Sequence, residues 1–273
     1  LSLHDALPIY FGADLPSSAR RIGVRGAALS FIDVCLLYGD TAETIYPVSR
    51  SGRFMEVKPS PETPLPEVSP RWRQACAHID NAAELREILI GAAGEFGDFS
   101  TADLAAVIDG QDFTGDAVAE LEASLRAAEG TGPLTPAAAV GAAFRGVFQE
   151  CVDWHKVHGP MPGFRELSRT LERVAFGPPP VTARRLLELI HSGVVNTDYL
   201  GTPEQIDSWR EKGGVDLLID ATVAPQATPS PFHDVAGVVE IGRMNELSLP
   251  GHDSLNRSVH DDIPRWAEKV GNP

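Results

Sequence analysis

The stretch from Arg21 to Gly52, RIGVRGAALSFIDVCLLYGDTAETIYPVSRSG, constrains this chain more than any other. Ile22 to Val24 is a short apolar run of the kind that fills a buried strand. Gly26, Ala27 and Ala28 follow, small enough for a tight turn out of that strand. Leu29 to Tyr38 reads as an apolar helix, and Thr44 to Val48 as a second strand that ends in Ser49-Arg50-Ser51-Gly52-Arg53. Strand, small-residue turn, helix, strand and basic tip is the order of a dinucleotide-binding βαβ unit. The expected fold class is α/β, with a Rossmann-like dinucleotide-binding core interrupted by a largely helical insert.

A diphosphate needs backbone N–H donors and no side chain in the way. A small-residue turn that opens a helix supplies both, and the helix start adds favourable partial charge. Gly26 can make the tight turn, Ala28 leaves room for close approach, and Ser30 can add a hydroxyl. The pattern is G-x-A-x-S, not G-x-G-x-x-G, so these residues alone fit a structural turn equally well. The basic tip adds a second signal. An acidic residue there selects a free ribose 2′-hydroxyl, whereas arginine accommodates a 2′-phosphate. Arg50 or Arg53 can bond a phosphate in paired fashion, with Ser49 and Ser51 beside them, which favours NADPH over NADH. The alternative is a solvated turn with ordinary surface charges.

Charge narrows the partners. A net charge of -15 argues against a nucleic-acid or anionic-membrane surface. No apolar run approaches the roughly 20 residues of a spanning helix. Cys35, Cys76 and Cys151 are scattered and odd in number, with no CxxC pair, which suggests reduced buried thiols and a cytoplasmic location. The first nine residues, LSLHDALPI, resemble an in-frame translation of a sequencing adapter and are expected to be an artefactual tail (1–9).

Three zones follow. Residues 10–60 hold the βαβ part, and a proline-rich connection, KPSPETPLPEVSP (Lys58 to Pro70), leaves it. Residues 61–180 read as a helical region that shapes a substrate site. Helices are expected over Arg71 to Ala93, Ala102 to Ile108, and Ala117 to Ala128 with Thr114 as cap. Two more are expected, over Ala137 to about His158, started by Thr135 with Pro136, and over Phe164 to Val174. Residues 181–273 return to α/β. They offer a helix capped by Thr182, apolar strand runs at Val215 to Ala221 and Gly237 to Ile241, and a last helix from Ser254 to Val270.

The runs VRGAALSFIDV (Val24 to Val34) and SRSGR (Ser49 to Arg53) resemble the second dinucleotide motif of bacterial FAD/NAD(P)-binding flavoproteins, a two-dinucleotide-domain family similar to the N-hydroxylating monooxygenases. VDLLIDAT (Val215 to Thr222), GPPPVTARRLLELIHSGVV (Gly177 to Val195) and IGRMNELSLPGHDSLNRSVHDDIPRWA (Ile241 to Ala267) resemble later segments of the same family, in the same order. The resemblance implies that Gly26, Ala28, Leu29 and Ser30 line the pyrophosphate of NADPH, and that Ser49, Arg50 and Arg53 face its 2′-phosphate. It implies that Gly251, His252, Asp253 and Ser254 lie against the flavin of FAD. The family's first FAD fingerprint is not in this sequence and is expected upstream of the adapter junction.

The function this implies is an NADPH-dependent FAD flavoprotein oxidoreductase of the monooxygenase type, present as a C-terminal fragment and acting on a small molecule. Hydride transfer needs no acid or base from the chain, so no catalytic residue is named. His252 and Asp253 read equally as a loop residue and a helix cap. His155 and His158 have no third ligand in the sequence, so no metal is expected. A non-catalytic nucleotide-binding regulatory module is the alternative from another class. A flavin-free NADP-dependent dehydrogenase is weaker, because no Tyr-x-x-x-Lys pair is present.

Overall fold

A computed structural model describes residues 19–222 and 262–271 of the chain. Their order begins with β1 (Arg21–Arg25), α1 (Leu29–Tyr38) and β2 (Thr44–Val48). Helices follow: α2 (Pro70–Cys76), α3 (Ala82–Ala93), α4 (Thr101–Ile108), α5 (Ala117–Ala128), α6 (Pro136–His158), α7 (Phe164–Ala175) and α8 (Pro180–His191). Then come α9 (Gln205–Lys212), β3 (Leu217–Asp220) and α10 (Asp262–Gly271). The fold is mixed α/β, mostly helical, with a small parallel sheet. The strand expected at Gly237 to Ile241 and the start of the helix expected from Ser254 lie outside the described residues, as does the tail at 1–9.

The residues divide into two compact units. The first gathers residues 19–65, 110–138 and 172–222; the second gathers 66–109, 139–171 and 262–271.

The sheet of the first unit has the order β2-β1-β3. β1 pairs in parallel with β2 from Arg21↔Thr44 to Arg25↔Val48, and with β3 from Ile22↔Leu217 to Arg25↔Asp220. Side chains alternate between faces, as pleating requires. Ile22, Val24, Ile45, Leu217 and Ile219 join one core with Phe31 and Ile32 of α1, Leu121 and Leu125 of α5, and Leu186 and Leu189 of α8. So α5 belongs to the core around the sheet, although the sequence places it within a helical insert.

Tyr46, Val48 and Leu218 point the other way, toward Ile206 and Trp209 of α9. Gly23 is the central residue of β1 on that face. A Cβ there would stand 2.7 Å from the indole of Trp209, so the bare backbone is what lets the ring lie on the sheet. Nothing in the sequence reading anticipates α9. Its polar eight-residue stretch carries only Ile206 and Trp209 as buried anchors.

Pro47 fits its strand because of where its missing N–H would fall. The amides of Ile45 and Ser49 point outward from β2, to the carbonyls of Val194 and Leu200 at 2.7 Å each. Pro47 sits between them with the same outward orientation, so its ring costs the β1 ladder nothing.

In the second unit the run expected as one helix over Arg71 to Ala93 is two. The Asn81 side chain accepts from the amides of Ala83 (3.0 Å) and Glu84 (3.1 Å), which starts α3 afresh. The Ile79 carbonyl accepts from the Trp154 indole at 2.6 Å. Two other caps also differ. Asp116, not Thr114, caps α5, while Thr114 bonds Glu120. Pro180 starts α8 before Thr182, at the first helical position, where its lost N–H is harmless. Cys76 and Cys151, far apart in sequence, bring their sulfurs to 3.5 Å.

Candidate functional site

The three strands of the first unit end together. β1 exits at Arg25-Gly26, β2 at Val48-Ser49 and β3 at Asp220-Ala221. The Gly26 amide donates to the Val48 carbonyl at 2.7 Å, and the Ala221 amide to the Arg25 carbonyl at 2.9 Å, so the exits are tied side by side. Gly26 has φ +121°, a conformation open to glycine. A Cβ there would also come to 3.1 Å of the Ala221 carbonyl oxygen. The glycine is thus demanded twice, by backbone angle and by close approach of the β3 exit.

From this bend α1 begins. Ala27 is buried under the turn, while Ala28, Leu29 and Ser30 are exposed. Ala28 occupies the cap position and makes no side-chain cap bond, and the first turn holds no acidic residue. The first N–H groups of an α-helix have no partner within the helix. Here the sequence supplies neither a cap nor a compensating carboxylate, at a helix start aimed past the ends of the strands. Leu29, 43% exposed, adds an apolar edge.

Beyond β2, the Ser49 hydroxyl accepts from the Gly52 amide at 3.2 Å and lies 3.4 Å from the Ser51 hydroxyl. These contacts close a small turn, with Gly52 at φ +65°. Arg50 projects from it, exposed and with no ionic or hydrogen-bond partner among the described residues.

Arg53, read from the sequence as a ligand of the same phosphate, turns inward instead. It is 7% exposed and bonds Asp112 through both terminal nitrogens (2.5 and 2.8 Å) and Glu120 through Nε (3.0 Å). Burial works against its charge, but these carboxylates outweigh it. Asp112 is held below the usual carboxylate range: burial opposes its charge, while Arg53 and Arg173 more than offset that. Glu56 is buried nearby. Burial pushes its carboxyl up, with Ser124 and Arg173 opposing. The ion-pair partners lie 59 and 67 residues from Arg53, so no local pattern could have exposed the pairing.

At the β3 exit, Arg25 and Asp220 pair at 3.2 Å. Burial again opposes the Asp220 charge, but hydrogen bonds from Thr222 and the Arg25 charge hold the carboxyl below its usual range. In α1, Asp33 is half-buried with no partner among the described residues. Burial pushes it up to about 6.

Gly251, His252, Asp253 and Ser254 lie outside the described residues. His155 and His158 each engage a backbone carbonyl of their own helix through Nδ1, at 2.8 and 3.0 Å, and His155 is buried. Among the described residues, no group of three or more His, Cys, Asp or Glu side chains is placed to hold a metal ion. No helix among them is long and apolar enough to cross a membrane.

A scan against protein-family models finds no match to this chain, and a search of curated proteins finds no significant match.

Proposed function

We propose that the first unit is a dinucleotide-binding module that seats NADPH across the ends of its strands, and that it serves an NADPH-dependent FAD flavoprotein oxidoreductase of the monooxygenase type. In this reading the sheet is a Rossmann-like core. β2 and β3 flank β1 on opposite sides, so the strand order reverses at β1, and parallel sheets bind ligands outside such a reversal. The observation that carries the reading is the uncapped start of α1 at that point, reached through a glycine whose φ is +121°. Gly26, Ala28, Leu29 and Ser30 are the pyrophosphate lining, with the backbone N–H groups as donors. Arg50, with Ser49 and Ser51, is the 2′-phosphate partner. Arg53 supports the module as a buried ion pair.

NADPH supplies the hydride and the flavin the redox chemistry; the described residues bind and orient. The flavin part of the reading rests on the sequence resemblance, since Gly251 to Ser254 lie beyond the described residues. A non-catalytic nucleotide-binding module would use the same lining. The two readings separate on one measurement: protein that is yellow with FAD and oxidises NADPH is the enzyme, and colourless protein that still binds NADPH is the binding module.

Calorimetric titration of NADPH and NADH tests the site itself. Arg50→Glu removes a charge-assisted partner and adds repulsion, so NADPH should weaken more than about tenfold while NADH changes little. Equal losses for both cofactors would remove Arg50 from the site.

A further inference from the structure

Residues 194–202 run beside β2 and end next to its tip. The Leu200 carbonyl accepts from the Ser49 amide at 2.7 Å, and a Cβ on Gly52 would lie 3.4 Å from the Gly201 Cα. This places Tyr199 close to the turn that carries Arg50. Its ring is fixed from below, standing edge-on to Tyr46 (centroids 5.7 Å) and to Trp209 (5.8 Å). Its backbone is fixed too. The Tyr199 carbonyl accepts from the Thr202 amide (3.0 Å) and hydroxyl (2.8 Å), and Asn196 caps the Asp198 amide at 2.9 Å. Yet Tyr199 is 36% exposed, and its hydroxyl has no partner among the described residues. A large ring held at the surface, on the segment bonded to the turn that carries an unpaired guanidinium, is a stacking platform formed before any ligand arrives.

We infer that Tyr199 is the base-stacking residue of this site and receives the adenine of an adenosine 2′-phosphate whose phosphate meets Arg50. The inference rests on the proposed reading of Arg50. If Arg50 holds the 2′-phosphate, the base attached to the same ribose reaches only a short way from it. Tyr199 is the exposed aromatic ring on the segment hydrogen-bonded to that turn. Stacking on a flat base needs a preorganised π-face and tolerates substitution among aromatic rings. Specificity then divides: Arg50 reads the phosphate, and Tyr199 supplies affinity for the base.

The probes are 2′,5′-ADP and NADPH, added to the chain and followed by tryptophan emission and calorimetry. Because Trp209 touches Tyr199, 2′,5′-ADP should change the emission, and the change should vanish in Trp209→Phe. Tyr199→Leu should weaken 2′,5′-ADP and NADPH by roughly tenfold, while Tyr199→Phe retains the affinity. If NADPH binds and Tyr199→Leu binds it equally well, the stacking role is overturned while the cofactor site stands. If unsubstituted protein binds neither NADPH nor 2′,5′-ADP, both readings fall together. Should Tyr199→Leu fail to fold, the emission test on the unsubstituted chain still decides: binding without a Trp209 signal overturns the inference.

Discussion

Replacing Arg53 by methionine should destabilise the first unit by about 3 kcal/mol and leave any nucleotide affinity of the folded protein intact. The figure follows from the surroundings. Arg53 is 7% exposed and makes three bonds to carboxylates that are 15% and 21% exposed. Breaking a buried pair by removing one partner costs about 3–5 kcal/mol, because the other charge is stranded. Two features keep the cost at the lower end. Asp112 retains Arg173 at 3.5 Å, and Glu120 retains the amide and hydroxyl of Thr114 at 2.9 and 3.1 Å. Urea unfolding followed by circular dichroism should show the midpoint fall by about 1–2 M at ordinary slopes. Adding Asp112→Asn and Glu120→Gln to Arg53→Met should restore much of the loss, since no carboxylate is then left unpaired. A loss below about 1 kcal/mol would refute the buried-pair account. So would a variant that keeps its stability and loses NADPH, because Arg53 would then be a ligand.

Gly26→Ala forces a methyl group into a bend with φ +121° and toward the Ala221 carbonyl. It should lower Tm by about 5 °C, as strain of about 2 kcal/mol predicts, and an unchanged melt would refute the tight turn. Asp33 has its carboxyl pushed from 3.8 to about 6, so the folded state holds the proton more tightly than the unfolded state. Stability is therefore lost as pH rises from about 4 to 6. The ceiling is about 3 kcal/mol, and screening of this half-exposed group reduces it to about 1 kcal/mol. Asp33→Asn should thus stabilise the protein at pH 8 and not at pH 3, by thermal melts at both values; equal effects would exclude desolvation as the cause. Cys35, Cys76 and Cys151 are all buried, and burial raises the Cys35 thiol, while Cys76 and burial raise Cys151. A thiol reagent should find them unreactive until urea is added, and fast labelling of native protein would contradict that burial.

Much of the stretch 21–48 is legible because the signals there are local. Ile22 and Val24 around Gly23, then Gly26, then the apolar run from Leu29, specify strand, bend and helix within one short stretch, and Thr135 with Pro136 marks the start of α6 just as locally. Legibility failed where the cause is distant. Arg50 and Arg53 look alike in sequence, and only Asp112, in the loop before α5, and Glu120 of α5 separate them. Trp209 reads as one aromatic residue in a polar stretch, and its place on the sheet depends on Gly23, far back along the chain. The break between α2 and α3 is hidden in the sequence because apolar spacing continues through it, while Asn81 offers a better cap than another helical turn.

The missing side chain at position 23 sets the height at which a whole aromatic trio rides above the strands. Trp209 touches the sheet because nothing stands beneath it, and Tyr46 and Tyr199 lean on Trp209. One added methyl group would lift the indole like a shim and tilt both tyrosines with it. The exposed surface around Tyr199 is thus set from inside the sheet, by a residue buried beneath Trp209.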